Sequence, residues 1–149
     1  MYKQIIILFL LSTVSISCSL NDRIERREDR LVGRWVFDRA FYKGNNAIFR
    51  DNVFDEFAGD IIEFYPNFEA SYDDSSERFL YFGEWEVFAQ RDRAGDDDTE
   101  FFLDMYFYDN RGFESFSYIG EVKALNRNRL RLVTYDRRGE YTFRLLKID

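Results

Sequence analysis

Residues 78–109 read RFLYFGEWEVFAQRDRAGDDDTEFFLDMYFYD. In residues 78–90, Phe79, Tyr81, Trp85 and Val87 fall on one side of an extended chain, and in residues 99–109 Phe101, Leu103, Met105 and Phe107 do the same. A period of two over runs this long is the mark of strands with a buried face. Residues 92–98, DRAGDDD, are polar and carry a glycine, so the two runs are predicted to form a long hairpin. The other face is not uniformly polar. Leu80, Phe82, Phe102, Tyr106 and Tyr108 would point outward.

The same pattern extends in both directions. Before the hairpin it covers residues 34–42, 60–65 and 68–73; after it, residues 113–124, 129–136 and 140–148. In the first of these runs Trp35, Phe37 and Phe41 are expected to share a face. Pro66-Asn67, Asn110-Arg111-Gly112, Asn126-Arg127-Asn128 and Arg137-Arg138-Gly139 separate successive runs with turn-forming residues. Links this short make neighbouring strands antiparallel, and eight such strands in order suffice to close a barrel. The expected fold is therefore all-β, an eight-stranded antiparallel up-and-down barrel. One link, residues 43–59, is longer. In it Phe49, Val53 and Phe57 recur every four residues with Phe54 beside them, which predicts a short lid helix beginning near Asp51.

Composition narrows function. Among 149 residues there are 17 Phe and 10 Tyr but no His and one Cys. Imidazole bases, His-dependent triads and Cys/His zinc sites are excluded. No carboxylate pair stands out as an acid beside a base, so no catalytic residue is assigned and a non-enzymatic role is expected. Asp96-Asp97-Asp98 with Glu100, and Asp73-Asp74, match no metal-binding loop, so neither metal nor cofactor is expected. A net charge of −7 argues against nucleic acid as a partner. Arg127, Arg129 and Arg131 alternate along one strand and are expected to pair with Glu121 or Glu140 across the sheet.

The N-terminal segment has its own logic. Lys3, the apolar run from Ile5 to Leu11 and the small residues before Cys18 form an export signal over residues 1–17, too short to span a bilayer. Ser15-Ile16-Ser17-Cys18 resembles a bacterial lipobox, which implies acylation of Cys18 and a membrane anchor of acyl chains. Residues 18–30 then read as a charged tether or short helix, with Asp22 and Glu25 spaced as a helix cap, and residues 31–149 as the barrel domain. The implied location is the bacterial outer membrane, with the periplasmic and surface faces both open.

Gly33-Arg34-Trp35 on the first strand resembles the Gly-x-Trp signature of lipocalins. Together with Ile62-Glu63-Phe64, Phe68-Glu69-Ala70, Gly83-Glu84-Trp85 and Tyr141-Thr142-Phe143, it is similar to the lipocalin-like lipoproteins of Bacteroidetes. The resemblance implies that Trp35 plugs the closed end of the barrel, with Arg144 packed over it. It also implies that residues 43–59 cover the open mouth. Phe49, Val53, Phe54 and Phe57, with Phe37 and Trp85 beneath, would then meet a small hydrophobic or amphipathic ligand. The alternative is a filled barrel acting as an interaction subunit of an envelope complex. Leu80, Phe82, Phe102, Tyr106 and Tyr108 would then face a partner protein.

Overall fold

A computed structural model of the chain describes residues 20–91 and 99–148. A helix, α1 (residues 20–31), leads into nine strands: β1 (Gly33–Gly44), β2 (Asp51–Asn52), β3 (Ile61–Phe64), β4 (Glu69–Asp74), β5 (Phe79–Arg91), β6 (Thr99–Tyr108), β7 (Ser115–Leu125), β8 (Arg129–Tyr135) and β9 (Gly139–Ile148). Each strand from β3 onward pairs antiparallel with the next, and β1 pairs with both β3 and β9, which closes the ring. The two residues of β2 continue the edge of β1 where β3 leaves off, opposite Phe41 and Tyr42. The fold is thus the expected all-β, lipocalin-like barrel of eight antiparallel strands.

Two β-bulges set which side chains face inward. In β1 the register with β9 shifts between Phe37 and Arg39. An extra residue in one strand reverses the alternation beyond it. Trp35 and Phe37 therefore point inward, but Ala40 takes the next interior place and is fully buried. Phe41, expected on the same face as Trp35, lies outside under the Arg50 guanidinium. A second shift, between Val122 and Ala124, does the same for β7.

The charged segment forms a helix that packs on the barrel. The α1 helix starts ahead of Asp22, so Asp22 is an interior residue whose carbonyl accepts a bond from Arg26 Nε at 2.9 Å, and it is not a cap. Leu20, Ile24 and Leu31 recur along one stripe and pack on the barrel core, with Leu31 fully buried. Arg23 and Arg27 lay their guanidinium groups over the Phe101 ring, at 4.9 and 3.4 Å from its centroid.

Interior space is taken by rings. Phe37 meets Phe57 at 5.1 Å and Phe143 at 5.3 Å between centroids; Tyr72 meets Phe107 at 5.5 Å and Phe116 at 5.4 Å. Such tilted and edge-on pairs are the favoured aromatic geometries and add to the stability gained by burying the rings. Where the rings come close to the mouth, polar atoms are paired. Asp60 is buried, and its carboxylate accepts the Tyr72 hydroxyl at 2.5 Å and the Ser75 N–H at 2.9 Å.

Burial, then the nearby Asp60 carboxylate, pushes the Tyr72 phenol upward from its ordinary value. Burial, with Tyr141 and Asp60 nearby, pushes Tyr118 up to about 12. An unfolded chain ionises its tyrosines near pH 10. These groups therefore add stability that is fully present below about pH 10 and is lost as pH rises toward 12. Urea midpoints are expected to hold level from neutral pH to about 10 and then to fall, and the fall should be shallower in Tyr118→Phe. Identical alkaline profiles for the two proteins would contradict this.

Candidate functional site

The barrel has two unlike ends. At the closed end lie α1, the β3–β4 turn, the β7–β8 turn and the end of β9. Here Trp35 is fully buried, and its indole N–H donates to the Leu31 carbonyl at 2.7 Å, tying the strand to the last turn of the helix. The cation over the Trp35 ring is Lys147, whose Nζ lies 5.3 Å from the centroid and donates to the Arg30 carbonyl at 2.9 Å. Arg144, expected in that role, is not there. Phe143 and Leu145 face inward, so alternation turns Arg144 to the outer face of β9.

At the other end the link between β1 and β3 crosses the mouth. Its helix is a single 3₁₀ turn, Phe54–Glu56, whose first N–H is accepted by Asn52 Oδ1 at 3.0 Å. Phe57 drops into the mouth between Phe37 and Phe143, while Val53 and Phe54 are half-buried against the core. Phe49 is not part of this lid; it is 81% exposed, ahead of β2 and the turn. Deeper in, Trp85 is buried, donates its indole N–H to the Tyr65 carbonyl at 3.2 Å and lies against Phe64. Of the residues proposed to line a ligand cavity, Phe37 and Phe57 contact each other at the mouth, whereas Trp85 lies apart from them, against Phe64 and Phe68, and Phe49 stands outside.

Outer faces carry the accessible features. On β5 and β6, Phe82 lies directly opposite Tyr108 and Glu84 opposite Tyr106. Leu80, Phe82 and Tyr106 are 44%, 46% and 47% exposed, and Tyr108 is exposed beside them. Ile119 on β7, opposite Asp104, extends the apolar strip. Phe102 belongs to a separate, half-buried pair, stacked on Phe88 at 5.4 Å. Among the described residues the α1 helix packs at the closed end against Phe101 and comes near this strip only where Glu28 shares a groove with Tyr106, so Leu80, Phe82 and Tyr108 stay exposed. Gly83, between Phe82 and Glu84, lets the two strands approach closely: a Cβ there would stand 2.0 Å from the Tyr106 carbonyl oxygen.

The arginine pairing expected on β8 is replaced by another arrangement. Glu121 pairs with Lys123, and Glu140 lies opposite Tyr135 and Lys43. Arg131 lies opposite Arg144. Among the described residues no group of three or more His, Cys, Asp or Glu side chains is arranged to hold a metal ion, and no helix is long and apolar enough to cross a membrane. Cys18 and the Asp96–Asp98 run lie outside the described residues.

The class this architecture defines is the lipocalin-like antiparallel β-barrel. No protein family, curated protein or solved structure matches the chain.

Proposed function

We propose that this chain is a non-enzymatic, lipid-anchored protein of the bacterial envelope, akin to the lipocalin-like lipoproteins of Bacteroidetes, that joins a protein complex through the outer face of β5 and β6. One observation carries the reading: the barrel is filled by its own rings, while Leu80, Phe82, Tyr106 and Tyr108 stand exposed together on the outside. Contiguous apolar surface on a folded domain marks an interaction site. Exposed tyrosines suit that task, since they contribute large contact area together with a polar tip. A ligand-binding lipocalin would need the space that Phe37, Phe57, Tyr72, Phe107 and Phe143 occupy.

Native mass spectrometry of the protein extracted from membranes tests this. The expected species is the acylated chain from Cys18 bound to a protein partner. The double substitution Phe82→Ser/Tyr108→Ser should release the partner while costing about 1–2 kcal/mol, the sum of two surface changes and one cross-strand aromatic pair. Cys18→Ala should leave the protein in the soluble fraction. A small hydrophobic molecule in place of a protein partner would return the barrel to the ligand-binding reading. Membrane association that survives Cys18→Ala would remove the lipid anchor from it.

A further inference from the structure

Like charges directly opposite each other on adjacent strands destabilise a sheet. Yet Arg39 on β1 faces Arg144 on β9, and Arg144 faces Arg131 on β8, so three guanidinium groups form one row across the outside of the barrel. Acidic groups are too few to make this row a structural ion network: Glu121 is held by Lys123, and Asp38, beside Arg39, is the one carboxylate among the residues lining the groove. Among the described residues neither Arg131 nor Arg144 has a hydrogen-bond or ion-pair partner, and Arg39 has only Asp38, at 3.8 Å. The row lines a groove of about 520 Å³ with Arg129, Asp38 and Asn126, and Ala124, opposite Arg131, leaves its floor open. All this occurs in a chain where acidic residues outnumber basic ones by 28 to 21, so the row is a local feature and not a reflection of overall charge.

We propose that the row Arg39, Arg144 and Arg131 is a binding site for a phosphate-bearing ligand, a phosphomonoester or a diphosphate. Guanidinium groups are planar forks that meet phosphate oxygens two at a time. Cross-strand neighbours stand about 5 Å apart at their Cβ atoms, a spacing that side chains as long as arginine can bridge to reach one diphosphate. A single carboxylate has two oxygens and is satisfied by one fork; phosphate has the oxygens and charge to use several. Bound phosphate also removes the repulsion that the empty row imposes on the sheet.

Inorganic pyrophosphate, titrated into the purified protein and followed by calorimetry and by the NMR signals of the arginine Nε–H groups, tests the proposal. Saturable binding is expected that shifts the signals of Arg39, Arg131 and Arg144, together with a higher melting temperature. Arg131→Gln/Arg144→Gln should weaken it by roughly tenfold or more, whereas Arg111→Gln in the β6–β7 turn should leave it unchanged. Arg144→Lys keeps the charge but loses the fork and should weaken binding as well. If the double variant fails to fold, Arg39→Gln alone serves, since that side chain is 60% exposed. Vesicles of phosphatidylcholine with and without phosphatidic acid, a lipid phosphomonoester, separate the sources: arginine-dependent adsorption to the vesicles with phosphatidic acid identifies a lipid headgroup, and pyrophosphate binding without adsorption a soluble phosphate. Chloride matching pyrophosphate at equal ionic strength, or pyrophosphate binding that the arginine substitutions leave intact, would overturn the site.

Discussion

Trp35→Ala is expected to cost about 4 kcal/mol, close to the whole stability of a small domain. The indole is fully buried at the closed end, so truncation leaves a large cavity that α1 and β9 can only partly fill. It also strands the Leu31 carbonyl, which accepts the indole N–H at 2.7 Å, and takes away the ring beneath Lys147. Trp35→Phe separates the two losses. It restores most of the apolar contact but not the donor, and should cost about 1–2 kcal/mol. Urea midpoints measure both, and a midpoint for Trp35→Ala near that of the parent protein would show that the helix is not held through this residue.

The second large effect comes from a smaller change. Adding one methyl group in Gly83→Ala puts a carbon 2.0 Å from the Tyr106 carbonyl oxygen and 2.9 Å from the Phe107 ring. The backbone oxygen cannot rotate away as a side chain would, so β5 and β6 must separate locally. A cost of about 3 kcal/mol or more is expected, at the upper end of what overpacking does. Gly112→Ala is the matched comparison. Its φ of 72° disfavours a side chain, but nothing lies within 4 Å of the added carbon, and its cost should stay near 1 kcal/mol. Amide exchange would show faster opening of β5 and β6 in Gly83→Ala alone. Equal costs at the two positions would refute the close-approach explanation.

Much of the barrel was legible because alternation is a direct image of a half-buried strand. Phe101, Leu103, Met105 and Phe107 are inward on β6 as the sequence pattern indicates. The pattern failed where the backbone departs from strict period two. Asp38-Arg39 interrupts the alternation of β1, and this pair of successive polar residues was the available signal of the bulge that turns Phe41 outward. Four-residue spacing misled in the first loop: Phe49, Val53 and Phe57 fit a helix, but Asp51 and Asn52, where it would begin, pair with β1 as β2, and one 3₁₀ turn follows. The stripe Leu20, Ile24, Leu31 was present but hidden among charges. Arg144 was assigned by resemblance against its own parity, since residues flanked by buried Phe143 and Leu145 must face out, and Lys147 has the inward phase. The arginine row could not be read at all. Arg131 and Arg144 face each other within one hairpin, but Arg39 joins them only through the closure of β1 on β9, which no local pattern encodes.

Closure of the ring imposes an order on the birth of the protein. The strand β1 is completed by β9, with Gly44 opposite Gly139 and Arg34 opposite Ile148. Synthesis runs from the N-terminus, so β1 waits while every other strand is made. Until β9 emerges, the curved sheet has two raw edges, on β1 and β8, each able to recruit a foreign strand. Sequence-distant pairing of this kind also makes the last step slow compared with the hairpins that precede it. A chain stopped short of residue 139 therefore is not a smaller barrel but an open sheet, and the cell must shield it or degrade it.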